Sequence, residues 1–527
     1  MLAVRARIGA PVALLFLAAC LTSAEVLHRD AEQALREKKL SLNLLVVSLP
    51  MSPMHSVVAI AQEMCLRGHN VTVVSLGEEG RAKVKKYSPG CALRYIAAAP
   101  MPLNKTEMAA VLGGRIAKTN STFGQMSIAS RELFAPLGGA LQEGVARLLD
   151  EGVVTPDYAL VSLPVGSIAP KLAELGVEFA VNLPSMLLPP VSPYPAAWVP
   201  IAFLDISVHD RRLLPVRLTW HAMRLVRYAA SAAGVIPPAM SDMDPAMLRD
   251  KLMLVNSIPG LDYPQPLPPL VQYTGPIVSL ASDRMESFPP EVEAWLSNLP
   301  PDKPVVYVSY GTVAVLSPEQ VAHMAAELTS EEFATLWALP KEQQTGLPDP
   351  LPPLMMVGGW IPTPRALAHP AVSAFVSHCG GNSVAEAMAA GVPIVGYPQF
   401  GDQPAVCRRV ADAGAGVTAP AKQSWLRRAD VLAVLGNEGF ATRATQLAGL
   451  FAAFGGATKA ADLLEAGARG GLALMVPPTE ESFLSWLLLE GYDLAVLAGL
   501  AAFGAGYLAA HCCRRRPKSQ PSKAKAA

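Results

Sequence analysis

The chain has 527 residues, too many for one typical domain and enough for two separate cores. Its 43 Lys and Arg balance 43 Asp and Glu, which excludes the electrostatic footprint of a nucleic-acid binder or an extended basic face. With 51% apolar and only 16% charged residues, the composition points to buried sheets together with some membrane-embedded chain.

From the amino terminus, residues 1–24 read as a signal peptide: Arg5 and Arg7 precede an apolar centre from Pro11 to Leu21, and the small residues Thr22 and Ala24 follow. A βαβ opening comes next, with a strand over Leu42–Leu49, a helix over Val57–Arg67 closed by Gly68, and a strand over Val71–Leu76. The simplest architecture for such a start is a parallel, doubly wound sheet. Asn70, Asn104 and Asn120 each begin an N-x-T sequon; Asn70 also opens a strand, where it is expected to be hidden. Alternation continues through a strand at Tyr158–Leu163 and a helix at Ile168–Leu175, ended by Gly176.

Between Leu183 and Ile236 the pattern breaks into proline-rich sequence and then a basic, aromatic stretch from His209 to Ala230. That insert is a candidate acceptor-binding or membrane-facing segment, although a solvated helical face explains the same residues. Asp242-Met243-Asp244 is a D-x-D in irregular sequence without a leading strand, so no metal is assigned. Proline enrichment from Pro259 to Pro301 marks an inter-domain connection. The expected division is an N-terminal α/β domain over 25–270, a linker over 271–301 and a second α/β domain over 302–475.

The second domain carries the most informative sequence. Pro304–Val315 (PVVYVSYGTVAV) reads as a buried strand ending in a small-residue turn. Farther on, Ala374–Ser377 is apolar enough for a buried strand, residues 378–383 (HCGGNS) make a glycine-rich turn, and a helix is expected from Val384 to Ala390. Free amides and the positive dipole end of such a helix suit a diphosphate, which glycines allow to approach closely. Ile394–Tyr397 reads as the next strand, with Asp402 and Gln403 just beyond the edge where open α/β sheets bind ligands. Singly, each residue has a plainer explanation. Ser383 and Glu386 stand in the S-x-x-E relation of a capping box, His378 suits a polar strand end, Trp360 a core, and Asp402 a loop.

Taken together, Trp360 to Gln403 resembles the signature of the UDP-glycosyltransferase family, in order and spacing without gaps. The resemblance makes Trp360 the ring that stacks on uracil and His378 the imidazole that meets the diphosphate. It makes Gly380, Asn382 and Ser383 donor-phosphate and sugar contacts, Glu386 the carboxylate that accepts the ribose hydroxyls, and Asp402 with Gln403 the pair that grips the transferred sugar. Ser309, Gly311 and Thr312 become further phosphate contacts. Thr363 stands where many members carry Gln, so the nucleoside contact there departs from the pattern. Trp295 and Trp337 also fall at family positions. Where plant members often carry Trp this chain has Gly381, and the double glycine is closer to the animal, membrane-bound branch. The architecture implied is GT-B: two doubly wound parallel-sheet domains facing a cleft, donor on the C-terminal one and acceptor on the N-terminal one.

Beyond 475, residues 476–493 read as an amphipathic juxtamembrane segment. An uncharged run from Leu494 to Ala510 lies within a transmembrane helix expected over 494–513, and a basic tail fills 514–527. A buried helix of the soluble body is the other reading of that run. The basic flank puts the tail in the cytosol and the catalytic body in the lumen. Lys523-Ala-Lys525-Ala-Ala resembles a dilysine retrieval signal of the endoplasmic reticulum, which completes the expectation of a single-pass type I glycoprotein of that membrane. Cys65, Cys91, Cys379 and Cys407 are too few and scattered to suggest a disulfide framework, and Cys512 and Cys513 sit where palmitoylation occurs.

For the chemistry, the family uses a His at the start of the first helix, oriented by an Asp. His55 is the only candidate, yet the usual slot counted from Gly68-His69 falls on Pro53, and the Asp slot falls on Ser162. Asp157 stands on the wrong side of its strand to substitute. The expected activity is inverting, metal-independent transfer of a hexosyl or glucuronosyl group from a UDP-sugar to a hydroxyl of a small lipophilic acceptor. UDP-sugar is a co-substrate, no cofactor is assigned, and a homo-oligomer is compatible with the sequence. The rival is a non-catalytic UDP-sugar-binding membrane subunit that has lost the His-Asp pair.

Overall fold

The computed structural model describes residues 41–185 and 251–475, apart from 53, parts of 105–127, 164, 166–167, 265–266, 278–285, 312–313, 400–401 and 420–424, together with 499–507 except 506. The signal-peptide, insert, D-x-D, juxtamembrane and tail readings, and Thr312 and Asn120, lie outside the described residues.

The first sheet is built from short, almost wholly apolar runs that suit strands covered on both faces. In chain order the elements are β1 (Asn43–Val47), α1 (Met54–Leu66), β2 (Asn70–Leu76), α2 (Gly77–Tyr87), β3 (Arg94–Ala99), α3 (Ala135–Asp150), β4 (Tyr158–Ser162), α4 (Ala169–Glu174), β5 (Phe179–Leu183), β6 (Leu252–Val255) and β7 (Val271–Tyr273). Seven parallel strands lie in the order β3-β2-β1-β4-β5-β6-β7. The strand order reverses between β1 and β4, so the loops after these strands diverge and leave a crevice at their carboxyl ends.

The second unit repeats the plan with α5 (Pro290–Ser297), β8 (Val305–Ser309), α6 (Pro318–Leu328), β9 (Ala334–Ala338), β10 (Met355–Gly358), α7 (Thr363–Leu367), β11 (Val372–Ser377), α8 (Gly381–Ala389), β12 (Ile394–Gly396), α9 (Gln403–Asp412), β13 (Gly416–Thr418) and α10 (Arg428–Leu435). Its six parallel strands run β10-β9-β8-β11-β12-β13, with the switch point between β8 and β11. Trp337 is fully buried in its core. The expected linker, 271–301, begins with the last strand of the first sheet and ends in α5, whose Val292 and Leu296 pack in the core of the second unit.

Two helices close the chain's main body: α11 (Glu438–Phe454) and α12 (Gly456–Ala468), separated by Gly455 in the left-handed conformation. Helix α11 packs on α8, whereas α12 returns to the first unit and lies on α1. Ala460, Ala461 and Leu464 join the core formed by Leu44, Val57 and Ile60. Arg67 of the first unit bonds Glu63 at 3.0 Å and reaches across to Asp462 at 2.7 Å and Glu465 at 3.3 Å. The stretch from Glu438 to Ala468 is long and apolar enough to cross a membrane by composition alone. Ala444, Leu447 and Phe451 of α11 and Ala460, Ala461 and Leu464 of α12 enter the cores, and 28% of that apolar stretch is buried.

Two expectations are corrected. The four cysteines of the body are paired, Cys65 with Cys91 and Cys379 with Cys407, at Cα separations of 6.3 and 5.3 Å. Sequence separations of 26 and 28 residues gave no sign of this, because folding, not spacing, brings the loops together. Asn70 is exposed at the first position of β2, not hidden, since a strand's first residue projects beyond its neighbours.

Candidate functional site

The site grows from the carboxyl ends of the two switch-point strands of the second sheet. Strands β8 and β11 end in register, Ser309 opposite Ser377, so the turns that follow lie side by side. His378 leaves β11 and points into the space between them. Its ring is held by absence: a Cβ on Gly311 would stand 2.8 Å from the imidazole, and one on Gly380 2.6 Å from Nε2. Gly311 also has φ +70°, a conformation glycine adopts without strain. The His378 ring is buried and its Nδ1 has no partner among the described residues. Burial lowers its pKa to about 4, the Ser309 backbone opposing, so at neutral pH it is an uncharged imidazole.

Helix α8 starts at Gly381 with Gly380 as its N-cap and no side-chain cap. Ser383 is therefore inside the first turn and the capping box with Glu386 does not form. The amides of this turn stay available to an anion, and Glu386 is buried one turn on, its carboxyl pushed up to about 8 by burial alone. Cys379, at φ 61°, is tied by its disulfide to Cys407 of α9. That bond fixes the glycine-rich turn against the helix that begins with Gln403. Gly396 of β12 makes room for it, because a Cβ there would lie 2.5 Å from one sulfur and 2.9 Å from the other.

Asp402 stands at the N-cap of α9, and burial raises its pKa against the pull of its own backbone amide, Ser185 and Arg409. Gln403 is buried and accepts a bond from the Gln399 amide at 2.8 Å. Trp360 is 53% exposed at the mouth, its Nε1 donating to Glu286 at 3.1 Å. Thr363 is different: its hydroxyl pairs with the Tyr307 phenol at 2.9 Å. Gly311 and Gly380 thus lie against the His378 ring, and Ser185 lies against both Gly381 and Asp402.

The first unit closes the other side. Asn382 Nδ2 donates to the Ser52 carbonyl at 3.0 Å, bringing the start of α1 against the start of α8. A Cβ on Gly381 would meet Ser185 Oγ at 2.8 Å, so the space that a larger residue would fill is taken by the turn that follows β5. Sequence reasoning missed Ser185 because nothing local marks it. His55 sits in the first turn of α1, stacked on Tyr87 with ring centroids 4.3 Å apart. Burial, with Lys83 and Lys86 nearby, lowers its pKa to about 4. Ser162 ends β4 fully buried, its hydroxyl turned to the Leu163 carbonyl at 3.3 Å, and gives His55 no carboxylate. Asp157 caps the opposite end of β1 by accepting from the Asn43 amide at 2.8 Å, far from the crevice.

Residues 215–437 match the family model of UDP-glucoronosyl and UDP-glucosyl transferase. Over this segment the chain is similar to that family. Among curated relatives, UDP-glycosyltransferase 84A3 of Arabidopsis thaliana is 42% identical over 135 residues, 24% of this chain and 26% of that protein. Limonoid UDP-glucosyltransferase of Citrus unshiu is 39% identical over 140 residues, again 24% and 26%. Anthocyanidin 3-O-glucosyltransferase of Gentiana triflora is 34% identical over 201 residues, 37% of this chain and 40% of its own. The aligned part of the chain thus spans about a quarter to two fifths of these relatives' length.

The fold likeness extends farther. A UDP-glucosyltransferase from Polygonum tinctorium superposes with TM-score 0.56 at 16% identity, covering 82% of this chain and 98% of its own. A UDP-glucose:anthocyanidin 3-O-glucosyltransferase in complex with UDP gives 0.55 at 17%, covering 83% and 99%. These establish the two-domain GT-B fold for the body of this UDP-glycosyltransferase-like chain.

Proposed function

We propose that the chain is a UDP-glycosyltransferase that moves a hexosyl or glucuronosyl group from a UDP-sugar to a hydroxyl of a small acceptor, with inversion. The observation that carries this is the meeting of two switch points. The β8/β11 edge presents Ser309, Gly311, His378 and the uncapped start of α8, and the β1/β4 edge presents His55 across the crevice. A diphosphate fits the first and an acceptor fits the second.

In the reaction, the acceptor hydroxyl attacks the anomeric carbon from the face opposite the diphosphate, its proton passes to a base, and the bond from that carbon to the phosphate oxygen breaks to release UDP. The α8 amides and His378 steady the leaving charge without reorganising. Asp402 and Gln403, at the start of α9, accept from and donate to sugar hydroxyls. His55 is the base. Its lowered pKa keeps it unprotonated at neutral pH, but also makes it a weak proton acceptor, which favours phenolic hydroxyls over alkyl ones.

The reading extends to a lumenal, membrane-anchored protein acting on lipophilic acceptors. Its support is the basic-flanked apolar run near the C-terminus and the helix over 499–505, where Leu500 and Phe503 are exposed. Paired cysteines suit an oxidising compartment. The animal-type branch rests on Gly381 and the termini, whereas the relatives named above are plant proteins.

The missing carboxylate beside His55 keeps the second reading, a UDP-sugar-binding subunit without turnover. Full-length, detergent-solubilised protein incubated with UDP-sugars and phenolic or alkyl acceptors should form glycosides. His55→Ala should lower transfer on the order of a hundredfold, more for alcohols than for phenols, and leave UDP binding intact. UDP binding with no product from any pair would favour the subunit.

A further inference from the structure

The C-terminal turn of α2 carries two adjacent residues that reach the two halves of the crevice. Tyr87 stacks on His55. Lys86 crosses to the second unit, where its Nζ lies 4.5 Å from the centroid of the Trp360 ring and 3.0 Å from Glu286 Oε1. Glu286 in turn accepts from Trp360 Nε1 at 3.1 Å. The indole is therefore held on one face by a cation and at its edge by a carboxylate, and at 53% exposure it still offers surface for a flat ring. Burial works against the Glu286 carboxylate, but Lys86 and the indole N–H keep its pKa below the ordinary value. No local pattern in the sequence links Lys86 to Trp360; 274 positions separate them.

We propose that Lys86 is a positioning residue for the nucleoside subsite: it braces the Trp360 indole from the acceptor-side domain. This rests on the reading of Trp360 as the base-stacking ring. A cation over one face of an indole is worth a modest attraction at a half-exposed site. Its larger effect is geometric, since a ring pinned at its edge and on one face is already oriented when a uracil arrives on the other.

Calorimetry with UDP and steady-state kinetics on the full chain test this, using Lys86→Met, Lys86→Arg, Trp360→Ala and the Lys86→Met/Trp360→Ala double variant. Lys86→Met should weaken UDP about two- to fivefold and raise KM for the UDP-sugar by the same factor, with KM for the acceptor unchanged. Lys86→Arg, which keeps a cation over the ring, should stay within about twofold of the parent. In the Trp360→Ala background Lys86→Met should have no further effect. Unchanged or tighter UDP binding in Lys86→Met would overturn the brace, tighter binding meaning that the lysine blocks the stacking face. An undiminished effect in the Trp360→Ala background would also overturn it, by showing that Lys86 touches the nucleotide directly. If Trp360→Ala alone leaves UDP affinity unchanged, the donor-site reading itself fails, a result separable from the others.

Discussion

At the scale of single residues, the crevice is shaped as much by missing side chains as by present ones. Gly311 and Gly380 leave the volume that the His378 ring occupies, and Gly396 leaves the volume of the Cys379–Cys407 disulfide. Gly311→Ala should therefore both displace the imidazole and strain a backbone at φ +70°. The strain alone is about 1–3 kcal/mol, and calorimetry should show UDP binding weakened, with the thermal midpoint lowered as well. Glu386 makes a second expectation. Its carboxyl, pushed up to about 8, is mostly protonated at neutral pH in the free protein, whereas accepting two ribose hydroxyls requires the ionised form. UDP affinity should then rise with pH from about 6 to about 8, by at most tenfold per unit, with proton release visible as buffer-dependent heats. A flat profile, or full affinity in Glu386→Gln, would remove Glu386 from the ribose.

At the scale of elements, the start of α9 is where Asp402 and Gln403 must be held, and the anchor lies deeper along the helix. Arg409, on α9, pairs with Asp262 at 3.0 Å, both almost fully buried, and lies 4.9 Å over the Tyr263 ring. Tyr263 donates to Asp412 on the same helix at 2.7 Å. Two residues of the 256–263 loop thus clamp α9 from the side where the first sheet ends. Asp262→Ala leaves a buried guanidinium without its carboxylate and should lower stability by about 3–5 kcal/mol. Asp262→Leu with Arg409→Met should lose less, because neither charge then stays buried alone; denaturant melts of the two variants make the comparison. The sequence marked Asp402 and Gln403 as candidate sugar contacts, but neither α9 nor this clamp was legible in it, since the clamp's partners are 147 residues apart.

At the scale of the whole molecule, the two units are tied at the crevice and again behind it, where α12 straps onto α1 through Arg67, Asp462 and Glu465. Buried ionisable groups at the crevice set how this assembly responds to pH. His55 and His378, lowered from 6.5 to about 4, take up protons on unfolding, so their contribution is present above about 6.5 and is lost as pH falls through 4. Glu386, raised from 4.5 to about 8, works the other way: its contribution is complete below 4.5 and is lost as pH rises through 8. Below 6.5 the two histidines outweigh the one carboxyl, and above it only the carboxyl still titrates. These three groups should place their combined stability maximum near pH 6.5. Thermal midpoints from pH 4 to 9 for the parent and for Glu386→Gln provide the check, the variant losing the decline above 6.5.

The parallel α/β plan, the opening βαβ unit and the strand-turn-helix that carries His378 and Glu386 were present in the sequence. The physical reason is that each depends on short-range pattern: apolar runs bounded by glycine and proline specify covered strands, and a strand, turn and helix in succession fix where a crevice edge must fall. Other features were decided only by tertiary structure. Ser383 and Glu386 satisfied a local capping pattern, yet Gly380 begins the helix, because the turn is held by Cys407 and by the His378 ring. The pairing of four cysteines, the return of α12 to the first unit, the Ser185 hydroxyl at Gly381 and the Lys86 contact with Trp360 all join residues far apart in the chain. Such contacts are set by how two sheets and their loops pack in space, and no window of sequence contains both partners.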